Sequence, residues 1–368
     1  MKRCFILFFV FMTNIAFADQ MVGFSAYEHA DYQTAYPHLI QAARSGNPEA
    51  MYLVGKMNQY GLGINKDIKA AFKWYQKAAN KDYVLAQFSL GYLYDTGTGV
   101  TEDYQQAFYW YSKAAEQGNA IAEHSVGLMY AAGDGIKQND RDAFSWIKKS
   151  AKKGYNKAQA DLAYYYMIGR GTKKNIDASF YWYKKAARQG NAEAQYSLAL
   201  LQNGKYGIPL NHRSANYWLH QAANQGHSDA QAYLGYQYLR GRGVDVNVDK
   251  AKYWYGAASE QGNAHAQAIL AQLLLTGSGG EKNYKKALYL FREAAEKGNV
   301  MAQNKLGYMY AVGLGTVQNY IKAYAWLKRA SENKSTQATK DLTRIEKNMT
   351  KEQIAEGQAL FEHLFKAN

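Results

Sequence analysis

Eight histidines, one cysteine and a series of G-x-G tripeptides are the residues of this 368-residue sequence whose types could carry chemistry. A thiol nucleophile needs a cysteine in the working chain, and Cys4 sits at the extreme N-terminus. The histidines are His29, His38, His124, His212, His220, His227, His265 and His363. None stands in an H-E-x-x-H pair or a Cys/His grouping with metal-ligand spacing. His212 and His220 are too far apart to share one helical turn. The G-x-G tripeptides lack the Walker pattern and follow helical rather than strand-like stretches, so they do not read as phosphate loops. No serine stands in a G-x-S-x-G elbow. Carboxylates are scattered, with no pair placed for general acid/base work. These absences predict a protein that is not an enzyme, with no cofactor and no metal.

Charge is the second chemical feature. The formal net charge is +14. Between Lys148 and Arg188 there are eleven basic residues and only two acidic ones, Asp161 and Asp177. Arg170, Lys173, Lys174, Lys184, Lys185 and Arg188 form the candidate basic patch. Such a patch suits an acidic partner or an anionic surface, and otherwise reads as a solvated outer face.

The N-terminus reads as an export leader. Lys2 and Arg3 precede an apolar stretch from Cys4 to Ile15, and Ala16-Phe17-Ala18 supplies small residues where a signal peptidase cuts. Residues 1–18 are therefore expected to be a signal peptide. Its removal leaves a chain with no cysteine and a net charge of +12. The expected location is periplasmic or secreted, which makes nucleic acid a poor partner. No other apolar run is long enough to span a bilayer.

The elements that must position these residues are written in a repeat of 36 residues. Stepping from Ala50 gives Ala86, Ala122, Ala158, Ala194, Ala230, Ala266 and Ala302. Stepping from Trp74 collects all seven tryptophans, with Leu290 replacing one. Within a unit, Ala194, Leu198 and Leu201 recur at helical spacing on a helix A, and Trp182, Ala186 and Ala187 do so on a helix B. The G-x-G between them predicts a turn with positive φ. An Asp or Asn then stands where helix B needs an N-cap, from Asp67 and Asp103 to Asn319. The tryptophans read as core. The fold class predicted is all-α, a right-handed α-solenoid of antiparallel helix pairs with a C-terminal capping helix.

Gly190 to Ala199, the Gly169–Gly171 turn and Ala178 to Ala187 together resemble the Sel1-like repeat family, relatives of tetratricopeptide repeats. The resemblance covers eight units over 46–331. An incomplete repeat over 19–45 precedes them, with His38 at the tryptophan position. A half repeat and capping helix over 332–368 follow, where Thr350 to Gln353 spell a capping box and Ile354, Phe361, Leu364 and Phe365 share one side. Repeat five departs in its turn, with Lys205 at a glycine position and Gly204, Gly207 and Pro209 nearby.

The resemblance implies a concave face lined by the A helices. Two columns are candidates for partner binding there. One holds Tyr52, Phe88, His124 and Tyr196; the other holds Tyr92, Leu128, Tyr164, Leu200, Tyr236 and Tyr308. Both mix aromatic and aliphatic types, as interface hot spots do, and both could equally pack between neighbouring helices. The function this implies is a secreted or periplasmic scaffold that binds proteins, including acidic or host-derived ones in host entry. A periplasmic adaptor regulating a cell-wall enzyme is the alternative. A β-lactam-binding or hydrolysing enzyme, as in the cysteine-rich branch of the family, fits poorly without cysteines. The sequence leaves the oligomeric state open.

Overall fold

The structure, a computed structural model, describes residues 20–366. The expected signal peptide over 1–18 lies outside the described residues. Among the described residues every regular element is helical. The chain forms two compact units, Met1–Trp182 and Tyr183–Asn368.

The first unit begins with α1 (20–28) and α2 (Tyr32–Arg44). Helix pairs follow: α3 (Pro48–Tyr60) with α4 (Ile68–Ala79), α5 (Val84–Thr96) with α6 (Tyr104–Glu116), and α7 (Ala120–Ala132) with α8 (Asp140–Lys152). Helix α9 (Asn156–Ile168) comes next, and α10 (Ile176–Arg188) contains the division between the units. The second unit holds α11 (Ala192–Leu200) with α12 (His212–Asn224), α13 (Ser228–Arg240) with α14 (Val248–Glu260), α15 (Ala264–Thr276) with α16 (Tyr284–Glu296), and α17 (Val300–Val312) with α18 (Tyr320–Glu332). It ends with α19 (Thr336–Glu346) and α20 (Lys351–Phe365).

The local chemistry follows the sequence pattern. Each of the predicted Asx residues caps its B helix: Asp67 accepts from Ala70 N–H, Asn175 from Ala178 and Asn319 from Lys322. The second turn glycine answers a close approach. A Cβ on Gly171, at φ +64, would lie 1.9 Å from the Asp140 carbonyl oxygen at the start of α8. The turn thus rests directly on the B helix of the preceding repeat. In repeat five α11 stops early and Leu201–Lys205 forms a π-helical turn, with Gly204 at φ 80. The capping box is made as expected, Thr350 Oγ1 accepting from Gln353 N–H and Gln353 Oε1 from Thr350 N–H. On α20 Phe361 is buried, but Leu364 is exposed, because α20 lays a narrower face on α18 than the pattern suggests.

The tryptophan column is not the centre of the core, contrary to the reading of the sequence. Trp110, Trp254 and Trp326 are buried, whereas Trp74, Trp146, Trp182 and Trp218 are half-buried. Lys77 and Lys149 lay their ammonium groups over the Trp74 and Trp146 rings at 4.4 and 3.7 Å, covering the wet face with a cation. The residue after each tryptophan takes the central place: Tyr75, Tyr111 and Ile147 in the first unit, Tyr183, Leu219, Tyr255 and Leu327 in the second, where Phe291 does the same after Leu290. One position earlier on helix B points sideways; the next residue aims at helix A. Facing Tyr75 and Tyr111 stand Gly55 and Gly91, which leave room for the rings.

A polar relay stitches the pairs together. The buried Gln87 donates to Ala79 O, at the end of the preceding B helix, at 3.3 Å. Its Oε1 accepts from Gln117, at the end of its own B helix, at 2.8 Å. Gln231 does the same with Ala223 O at 3.1 Å and Gln261 at 2.7 Å, and Gln303 with Ala295 O at 3.2 Å and Asn333 at 2.9 Å. One amide therefore adds a second hydrogen bond to a carbonyl in the last turn of one helix and ties down the end of another.

Candidate interaction surface

The two A-helix columns separate in the first unit. In the first, Tyr52 packs on Tyr75 and Tyr83 with ring centroids 5.7 and 5.4 Å away, and Phe88 on Tyr111 at 5.5 Å. His124, expected on the binding face, is instead 7% exposed. Its Nε2 lies 2.6 Å from Asp161 Oδ2 on α9, and its ring meets Tyr155 edge-on at 5.3 Å. In the second unit Tyr196 stacks on His227 at 4.9 Å. Burial pushes the Tyr196 hydroxyl up to about 12, with the Asp229 and Glu193 carboxylates adding to the shift. The column alternates one step inward from the surface and so fills the seam between neighbouring A helices.

In the first unit the second column faces water. Tyr92, Leu128 and Tyr164 are 46, 44 and 44% exposed, one per repeat on α5, α7 and α9 of the first unit. Beside Leu128 lies a depression of about 460 Å³, also lined by Asp95, Asp134 and Arg170. Burial raises the Asp95 carboxyl; the Tyr111 hydroxyl, donating at 3.2 Å, opposes this, and Asp134 and Glu102 add to it. In the second unit Leu200 and Tyr236 are half-buried, and Tyr308 is exposed beside a cavity of about 390 Å³ against α19.

The candidate basic residues differ in their surroundings. Arg170 is tied down, donating from Nε to Asp140 Oδ1 and from Nη2 to Ala131 O, both at 2.7 Å. That carboxylate raises its already high pKa. Lys173 and Lys174 are exposed on the turn of the first unit; Lys184, Lys185 and Arg188 are exposed on α10 in the second.

One exposed position of the repeat was missed in the sequence. Tyr109 and Tyr181 in the first unit, and Tyr217, Tyr253 and Tyr289 in the second, occupy one B-helix position and are 49 to 67% exposed. Tyr109, Tyr181, Tyr217 and Tyr253 each meet the following tryptophan edge-on, with centroids 4.9 to 5.2 Å apart. The recurring Tyr-Trp dipeptide was the available signal; assigning the tryptophan to the core hid it.

Among the described residues there is no group of three His, Cys, Asp or Glu side chains that could hold a metal ion, and no helix long and apolar enough to cross a membrane.

The Sel1 repeat model matches eight consecutive segments, 48–83, 84–119, 120–155, 156–191, 192–227, 228–263, 264–299 and 300–335. Among solved structures, the chain is 31% identical to a protective antigen present in uropathogenic Escherichia coli strains that displays an SLR fold. That match has a TM-score of 0.64 and covers 96% of this chain and 85% of the other. A Sel1 repeat protein from Oxalobacter formigenes is 29% identical, with a TM-score of 0.64, over 84% of this chain and 90% of its own. No curated protein sequence gives a significant match. Proteins built this way generally mediate protein–protein interaction. Eight contiguous repeats, and the packing that joins them, place the chain in the Sel1 repeat family.

Proposed function

We propose that the chain is an exported, non-enzymatic scaffold that holds a protein partner along its A helices. The observation that carries this reading is the exposed column Tyr92, Leu128 and Tyr164. Three large side chains stand exposed at one position of successive repeats, and large apolar groups repeated on a water-facing surface suit a docking site. The depression beside Leu128 offers room for an anchoring side chain from the partner. Lys173 and Lys174, exposed on the turn of the same unit, favour a partner with acidic character through faster encounter. The leader-like N-terminus supports export, and a related chain that is a protective antigen supports a host-facing setting.

The test compares the leader-free chain with a Tyr92→Ser, Leu128→Ser, Tyr164→Ser variant as baits in host-cell lysate and in periplasmic extract. Both baits are first matched for helical circular dichroism. Bands lost from the variant but kept by a Tyr217→Ser, Tyr253→Ser control support the A-helix surface. Identical captures from both baits refute it. Which extract yields the lost bands separates a host partner from a cell-wall adaptor role.

A further inference from the structure

The second unit contains a cavity of about 390 Å³ unlike the others. Tyr196 on α11 and Tyr233 and Tyr236 on α13 form its aromatic walls, and Asp229, Asn263 and His265 complete the polar side. The Tyr233 and Tyr236 rings pack against each other, with centroids 5.9 Å apart at 45°. Asn263 Nδ2 donates to Asp229 Oδ1 at 2.8 Å, and Asn203 Nδ2 to the Tyr233 hydroxyl at 3.0 Å. Both hold wall residues in place. His227, bonded to Glu193 at 3.0 Å, backs the Tyr196 ring.

This is an acidic, aromatic recess in a strongly basic chain. Tyrosine faces carry negative quadrupole charge, and a single carboxylate sits among them. Anions are disfavoured there, and a cation gains an attraction to Asp229 that a neutral apolar group lacks. A primary ammonium brings three strong N–H donors that need acceptors, whereas these walls are mostly ring carbon. A quaternary ammonium is weakly hydrated at its methyl surface and needs ring faces plus one negative charge. The Arg242 guanidinium, which is not part of the lining, lies 5.3 Å from the Tyr236 centroid, so one cation already stacks on that ring.

We propose that the recess bounded by Tyr196, Tyr233, Tyr236 and Asp229 is a binding site for a quaternary ammonium group of the choline type. This goes beyond the scaffold reading and does not depend on the A-helix column of the first unit.

The experiment is chemical-shift titration of the intact leader-free chain with choline, with its neutral carbon isostere 3,3-dimethylbutanol, and with lysine methyl ester. Choline is expected to shift resonances of α13, and to bind at least about tenfold more tightly than either other probe, a tenfold ratio being one logarithmic step in affinity. Asp229→Asn should weaken choline about tenfold and leave the isostere unchanged. Tyr236→Phe should retain binding, because it keeps the ring face, and Tyr236→Leu should lose it. Isostere binding equal to choline overturns the charge argument. Lysine ester equal to choline overturns the quaternary assignment. Absence of shifts on α13 with all three overturns the site.

Discussion

Gly91 on α5 offers the sharpest test of the packing. An added Cβ would lie 2.7 Å from Cδ1, 2.9 Å from Cε1 and 3.0 Å from Cγ of Tyr111. Carbon atoms prefer separations of about 3.5–4.0 Å, so the ring must retreat by roughly 1 Å. It has little freedom to do so. Tyr111 is buried, its ring packs on Phe88, and its hydroxyl is held by Asp95. Overpacking of this kind costs about 1–3 kcal/mol. Alanine returns about 0.8–1.0 kcal/mol over glycine in a helix interior. Gly91→Ala is therefore expected to destabilise its repeat by about 1 kcal/mol net. In a Tyr111→Leu background the same substitution should instead stabilise by about 0.5–1 kcal/mol, because the obstructing ring is gone. Repeat five already uses that combination, with Ala199 and Leu219 both buried at the equivalent positions. Repeat arrays open locally, so the readout is native-state amide exchange in α5 and α6. A Gly91→Ala effect of equal sign and size in both backgrounds would refute the close approach.

The turn glycines give a matched pair: Gly154→Ala meets nothing within 4 Å and should cost only the left-handed strain, about 1–2 kcal/mol, while Gly171→Ala should cost about 1–3 kcal/mol more. Equal losses by exchange in α8 and α9 would remove the contact with Asp140 from the account. Asp95→Asn should stabilise the first unit at neutral pH. The folded carboxyl has a raised pKa, so its penalty is present when it is ionised and vanishes as pH falls below the ordinary carboxylate range; a melting-temperature gain that persists at about pH 3 would contradict this. Glu123, at the relay position of repeat three, is buried and bonded to Lys153 at 2.7 Å, but its Oε2 has no partner. Glu123→Gln should be neutral or stabilising by about 1 kcal/mol, since the amide can donate as the glutamines of other repeats do; a loss above about 1 kcal/mol would show that the ion pair outweighs the missing hydrogen bond.

The fold was legible because its signals are local and periodic. Alanine columns, Asx caps and paired glycines each solve a backbone problem within a few residues, and the same solutions recur every 36 positions. Even the irregular turn of repeat five was marked, by Lys205 and by the glycines around it. Depth was less legible. Trp74 and Tyr75 are adjacent, and sequence alone ranks the tryptophan as the larger core residue; only the angle of α4 against α3 decides that Tyr75 enters the core. The same ambiguity governed the A helices. Columns four residues apart share a helix face in the pattern, yet Phe88 fills a seam and Tyr92 meets water. The relay was invisible for a different reason: a glutamine in a helix has no sequence mark that distinguishes a solvated amide from one bonding across 30 residues.

The relay also explains why the register never slips. Moving Gln231 by one position would rotate it about 100° around the helix axis, breaking its bonds to the Ala223 carbonyl and the Gln261 amide at once. Hydrophobic columns tolerate exchange of one apolar residue for another, as at Val54, Leu90 and Val126, but a buried amide with two fixed partners does not tolerate displacement. The backbone of each unit is thereby fixed independently of its surface. Side chains outside the relay and the core can then vary without cost to the fold. In the first unit the exposed A-helix position reads tyrosine, leucine, tyrosine, and the turn position four residues after the helix end changes from Val100 to Ile136 to Thr172. Recognition is expected where the repeats differ, because identical positions are already committed to holding the array together.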